Sequence, residues 1–189
     1  ERARRHPESV QVLLIDEINR ANLSQVFGEL FLLLEGDKRS ADYAVTPLYP
    51  RSNQERLFVP PNLYVVGTMN IADRSLALVD FALRRRFAFM TLAPRFDKPR
   101  FRNWLQDRQM PHSLVSRIVE RMSSLNKDIA DDSTLGPAFQ IGHSFFCPSG
   151  DNFSDLGDEW YTEIIETEIG PLLDEYWYDN LSKSTAAFE

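Results

Sequence analysis

The chain has 189 residues, a net charge of −7 and 43% hydrophobic residues. That length holds one ordinary domain, or one and a half small ones, with enough apolar content for a real core. No apolar run reaches the length of a membrane helix, no apolar segment follows the N-terminal Glu1-Arg2-Ala3-Arg4-Arg5-His6-Pro7, and Cys147 is the single cysteine. These features exclude a helical membrane span, a signal peptide and an internal disulfide, and they fit a reducing, cytoplasmic compartment. The three histidines are scattered, so no zinc-type cluster can be read. Charge is unevenly spread: residues 1–127 carry 20 Lys/Arg and 14 Asp/Glu, whereas residues 128–189 carry one Lys and 14 Asp/Glu. The acidic end is a poor surface for nucleic acid. It reads as a solubilising face or as a docking face for a basic partner.

Val12-Leu13-Leu14-Ile15 reads as a strand buried on both faces, of the kind found in parallel sheets. It ends in Asp16-Glu17. Ligands of open α/β sheets sit beyond the carboxyl ends of such strands, so the two carboxylates lie where a nucleotide's phosphates and metal could be. A solvated acidic turn is the plainer reading. A helix is expected next, with Asn22 and Gln25 as a capping box, apolar residues from Leu23 to Leu34 at helical spacing, and Gly36 as its stop. Residues 37–62 suggest a β-hairpin with arms at Tyr43-Ala44-Val45-Thr46 and Arg56-Leu57-Phe58-Val59, either a connector or a contact point for a partner. Leu63 to Thr68 is a second buried-strand run, ending at Met69-Asn70. Ser75 caps an expected helix over 76–85, and Phe87 to Leu92 reads as a third strand. Pro94 and Pro99 mark a boundary near residue 95. Helices follow over about 98–107, 113–131 and 158–178, with a loop-rich stretch between the last two.

Three features gain weight together. Asp16-Glu17 ends one apolar strand, Asn70 ends the next, and Leu83-Arg84-Arg85-Arg86-Phe87 closes the following helix. An amide at a strand tip can hold an attacking water or a γ-phosphate, and clustered arginines can reach a phosphate in trans. Asn70 alone also reads as a turn residue. Arginines at a helix C-terminus are favoured by the macrodipole without any function.

Leu14-Ile15-Asp16-Glu17-Ile18-Asn19-Arg20-Ala21-Asn22, Gly67-Thr68-Met69-Asn70-Ile71-Ala72-Asp73-Arg74-Ser75, Leu83-Arg84-Arg85-Arg86-Phe87 and Phe139-Gln140-Ile141-Gly142-His143-Ser144-Phe145-Phe146 resemble the McrB family. These are the AAA+ GTPase subunits of McrBC restriction systems, and the likeness covers nearly the whole chain. The resemblance implies an α/β fold. Residues 1–95 would be the C-terminal part of a P-loop NTPase core and 96–189 an all-helical lid. It implies Walker B roles for Asp16 and Glu17, at Mg²⁺ and at the attacking water, and a sensor 1 role for Asn70. Asp73 and Arg74 would lie near nucleotide or interface, and Arg85 and Arg86 would be arginine-finger candidates. It further implies GTP as substrate, a homo-oligomeric ring (typically a hexamer), an McrC-like nuclease partner and DNA contact through a separate domain.

The sequence contains no G-x-x-x-x-G-K-[ST], and none of its four lysines follows a glycine. The expectation is a fragment that begins just before Walker B, carries no DNA-reading domain and is inactive alone. Asn70-Ile71-Ala72-Asp73 imitates the guanine-reading N-K-x-D of small GTPases, but it follows the strand after Walker B, nearer the γ-phosphate than the base. His143 has two readings: a nucleotide contact from the lid, or a structural histidine at a helix start. The alternatives to a GTPase are an ATP-dependent MoxR-like remodelling protein and a non-catalytic interaction module.

Overall fold

The computed structural model describes residues 1–20, 27–47, 49–72, 84–180 and 183–184. The expected cap at Asn22 and Gln25, the helix over 76–85, and Asp73 and Arg74 lie outside the described residues, except for Arg84 and Arg85. The chain divides into two compact units, Glu1–Met90 and Thr91–Glu189. The first is α/β and the second is helical.

Unit 1 is organised around two parallel strands, β1 (Gln11–Ile15) and β2 (Leu63–Gly67). They pair in the register Gln11↔Leu63 to Ile15↔Gly67, so their carboxyl ends finish level. A short helix α1 (Arg2–Arg5) precedes β1. The Asn62 side-chain amide gathers this entry, donating to the carbonyls of Ala3, His6 and Ser9 at 2.9–3.0 Å. Paired residues of a parallel ladder share a face. Ile15 and Val65 pack on the small cluster of Ile18, Phe31 and Leu34. On the other face Val12, Leu14, Tyr64 and Val66 are exposed, Val12 by 61%. Burial of β1 on both faces is therefore not met: a two-stranded ladder supplies only one packed face here.

Three other expectations are corrected. The helix after β1 is described from Gly28 to Leu34 as a 3₁₀-helix, with Gly28 at φ +49°. A glycine in that conformation interrupts an α-helical ladder. The 3₁₀-helix is capped by Glu35 in extended conformation, and Gly36 instead opens a further 3₁₀ turn, Gly36–Lys38. The hairpin reduces to one antiparallel bridge, Val45↔Leu57, with both of its hydrogen bonds at 2.8–2.9 Å. The prolines and polar residues on either side leave little ladder to extend. Phe87 to Leu92 forms no strand. Phe87 joins the small cluster, while Phe89, Met90 and Leu92 are exposed with no partner strand among the described residues.

Unit 2 is built on helix α3 (His112–Asp131), which buries Leu114, Val115, Ile118, Val119, Met122, Leu125 and Ile129 along one face. Each such side chain contributes about 1.5–3 kcal/mol relative to exposure. Helix α2 (Pro99–Asp107) adds Phe101 and Leu105, and helices α4 (Asp158–Ile164) and α5 (Gly170–Tyr176) add Ile164 and Leu173. The single helix expected over 158–178 is split by a π-helical stretch, Ile165–Ile169. Pro171 explains the break: it has no N–H for the Thr167 carbonyl, and its ring would crowd that carbonyl in an α-helix.

A nearly buried carboxylate closes this unit. Asp132, 3% exposed, accepts from Lys183 Nζ at 2.5 Å, from the Thr134 N–H and hydroxyl at 2.7 Å each, and from Trp177 Nε1 at 2.9 Å. Lys183 first, and then the Thr134 and Trp177 donors, hold its carboxyl well below the usual carboxylate range. A depressed folded pKa stabilises above the unfolded value of about 4 and loses that stabilisation as pH falls towards the folded value. The urea midpoint of unit 2 should therefore drop below about pH 4. Asp132→Asn should lower the midpoint at neutral pH and flatten its acid slope.

Gly67 sets a steric limit in unit 1. A Cβ there would meet Ile18 Cδ1 at 2.8 Å and Ile18 Cβ at 3.2 Å. Gly67→Ala should destabilise unit 1 by about 1–3 kcal/mol, read by equilibrium urea unfolding.

Candidate functional site

The level ends of β1 and β2 decide which side chains meet. The step after Ile15↔Gly67 sets Asp16 beside Thr68, and there the ladder continues through two bonds: Thr68 N–H to the Ile15 carbonyl at 3.0 Å, and Ile18 N–H to the Thr68 carbonyl at 2.8 Å. The Thr68 hydroxyl accepts the Glu17 N–H at 3.1 Å and donates to an Asp16 carboxylate oxygen. Two positions further, the Asn19 side-chain amide donates to the Asn70 carbonyl at 3.3 Å. The tips are thus tied together at two levels.

Glu17 carries the strain of this turn. Its φ is +49°, the left-handed region. That conformation costs a residue other than glycine roughly 1–2 kcal/mol and persists where the surroundings impose it. Its half-exposed carboxylate pairs with Arg20, three residues on. The side-chain oxygen of Asn70 accepts the Ala72 N–H at 3.0 Å, an Asx turn at the exit of β2. Asp16, Thr68 and Asn70 are exposed, so the tip is open to solvent.

The donor set fits a hard cation. It offers carboxylate and amide oxygens, and Asn19 Oδ1 is a buried oxygen with no hydrogen-bond partner in the structure. Among the described residues no group of three or more His, Cys, Asp or Glu could cage a metal. Mg²⁺ is commonly held by one or two carboxylates plus waters and substrate phosphates.

The clustered arginines separate. Arg84 and Arg85 are exposed. The Arg86 side chain is only 9% exposed, pairs with Glu35 at 2.6 Å and stacks over the Phe31 ring with its guanidinium carbon 4.6 Å from the centroid. Arg86 therefore ties the chain after residue 83 to the 3₁₀-helix Gly28–Leu34 and its cap.

His143 and its segment belong to unit 2. Asn126, nearly buried within α3, uses its amide on Ile141, donating to the carbonyl at 2.9 Å and accepting its N–H at 2.6 Å. The Asn126 carbonyl accepts from Gln140 Nε2 at 3.0 Å. These bonds pin the stretch that leads into the 3₁₀ turn His143–Phe146. His143 Nδ1 accepts the Arg95 N–H at 3.3 Å, and its ring meets Phe96 and Phe101 nearly edge-on. That bond leaves Nε2–H as the donor of the neutral ring.

Residues 2–87 match the AAA domain (dynein-related subfamily), and residues 117–185 match the alpha-helical lid domain of McrB. The chain belongs to the McrB family. The Type IV methyl-directed restriction enzyme EcoKMcrB subunit of Escherichia coli (strain K12) is 46% identical over 181 residues, 95% of this chain and 39% of that protein. The Type II restriction enzyme BsuMI component YdiS of Bacillus subtilis (strain 168) is 33% identical over 142 residues, 68% of this chain and 41% of that protein. The chain spans about two fifths of the length of each of these relatives. The lid match, residues 117–185, falls within unit 2. The AAA match covers the paired strand tips. No helix among the described residues is long and apolar enough to cross a membrane.

Sequence reasoning missed two residues of this arrangement. Thr68 lay inside a quoted motif without a role, and no sequence period announces a hydroxyl that meets a turn 51 and 52 positions away. Glu35 stands just before Gly36, the expected helix stop, and carries no signal of its own. A carboxylate paired with a buried arginine is visible only once the chain has folded back. Removing one partner of a largely buried pair leaves the other uncompensated. Arg86→Ala should therefore destabilise unit 1 by roughly 1–3 kcal/mol, whereas Arg85→Ala should stay within about 0.5 kcal/mol, both by urea titration.

Proposed function

We propose that this chain supplies the acidic, sensor and arginine parts of a GTP-hydrolysing ring that serves a restriction system. Asp16, with Glu17 beside it, would hold Mg²⁺. Glu17 exchanges Arg20 for the attacking water and orients and deprotonates it. Asn70 holds that water or the γ-phosphate from the neighbouring tip. Arg85, exposed and separate from the Arg86–Glu35 pair, reaches the nucleotide of the adjacent subunit. When bound, Mg²⁺ would neutralise part of the charge on the phosphate oxygens. Asp73 and Arg74 act near the nucleotide or the subunit interface, and His143 offers Nε2–H to the nucleotide from the lid.

One observation carries this reading: two parallel strands end level, with Asp16-Glu17 on one tip and Asn70 on the other. Carboxylates and a neutral amide at adjacent carboxyl ends suit the metal-holding and water-orienting parts of in-line phosphoryl transfer. The McrB-type lid over residues 117–185 favours GTP, a hexameric ring and an McrC-like nuclease partner over an ATP-dependent MoxR-like machine. The restriction enzymes named among its relatives point to DNA as the eventual target, met through another part of the protein.

In the full-length protein, Glu17→Gln should lower steady-state GTP turnover by two or more orders of magnitude while nucleotide affinity and assembly stay intact. Retained turnover would remove Glu17 from the base role. Competition between GTP and ATP for the same preparation should favour GTP; a preference for ATP would overturn the assignment of substrate.

A further inference from the structure

Thr68 spends every polar group it has on the four residues that carry the acidic pair. Its N–H donates to the Ile15 carbonyl and its carbonyl accepts the Ile18 N–H, just past the last paired residues of the ladder. The two remaining bonds belong to no ladder: the hydroxyl accepts from the Glu17 N–H and donates to Asp16. A threonine hydroxyl has one proton and two lone-pair sites, so both bonds coexist. They brace the two features of the turn that most need bracing. One is the left-handed backbone of Glu17, which a glutamate does not adopt unaided. The other is the rotation of the exposed Asp16 carboxylate, of which the hydroxyl engages a single oxygen.

We propose that Thr68 is a positioning residue of the hydrolytic site, its hydroxyl fixing the Glu17 backbone and selecting the Asp16 oxygen that faces the cation. The inference rests on the roles given above to Asp16 and Glu17. Thr68 itself touches neither nucleotide nor water in the reaction. It acts by holding one carboxylate and aiming the next, where a displacement of about 1 Å can cost two orders of magnitude in rate. Valine has the shape of threonine without the hydroxyl, and serine keeps the hydroxyl without the methyl. The pair therefore separates hydrogen bonding from packing.

The test uses full-length protein carrying Thr68→Val or Thr68→Ser. In the absence of nucleotide, amide hydrogen exchange of Glu17 should be several-fold faster in Thr68→Val than in the parent, and close to the parent in Thr68→Ser. In turnover assays Thr68→Val should lose about 10²-fold in kcat with little change in KM. It should also need roughly tenfold more Mg²⁺ for half-maximal rate, and Thr68→Ser should recover most of both. Parental turnover and Mg²⁺ dependence in Thr68→Val would overturn the proposal, as would a serine variant no better than valine. Should Thr68→Val fail to fold, Thr68→Ala carries the same comparison against serine. Failure of the underlying roles is separable: active Glu17→Gln would remove the catalytic reading, while the exchange measurement still reports on the hydroxyl itself.

Discussion

The site depends on the register of two short parallel strands. Because Ile15 lies opposite Gly67, the chains leave the ladder at the same height and Asp16 emerges beside Thr68. A shift of one residue would turn every side chain of one strand to the other face and separate the hydroxyl from the Asp16 carboxylate and the Glu17 N–H. Gly67 belongs to the same constraint. Its missing side chain lets Ile18 fold back over the ladder's last step, and Ile18 is the residue that anchors the acidic turn in the small cluster of unit 1. The strained Glu17 is thus held from two sides, by an apolar anchor one residue later and by a hydroxyl from the adjacent strand.

The helical unit meets a different requirement by different means. Its core is large and rests on one long helix, against which α2, α4 and α5 pack. Polar groups are then used sparingly and at fixed points. Asn126 pins the stretch before His143, and Asp132 gathers Thr134, Trp177 and Lys183 at the end of α3. Buried polar groups with all partners supplied specify one arrangement over its competitors. In unit 1, by contrast, the apolar cluster is small, and ion pairs and side-chain caps carry more of the organisation: Arg86 with Glu35, and Arg39 on the carbonyls of Leu34 and Leu63.

Legibility in the sequence followed the strength of local periodicity. Helices α2 and α3 were readable because their apolar residues recur at helical spacing over several turns, and β2 because an apolar run is bounded by polar residues. The extension of Gly28–Leu34 as a 3₁₀-helix was not readable, since the same spacing suits an α-helix. Nor was the π stretch, although Pro171 was its signal. The expected strand over Phe87 to Leu92 failed for a plain reason: an apolar run becomes a strand only where a partner edge meets it. The hairpin shrank to one bridge for the same reason.

By itself, the sequence determined the chemistry present: two carboxylates at the end of one apolar run, an amide at the end of another, an arginine cluster and a motif set resembling the McrB family. Those are properties of residue type and order. Only the tertiary structure decided how they are used. It set Asp16 and Glu17 on one hydroxyl, divided Arg85 from Arg86 by burying the latter on Phe31 and Glu35, and gave His143 a backbone partner in its own unit. Each of those outcomes joins residues dozens of positions apart. Such contacts are set by strand register and packing, which local sequence patterns do not encode.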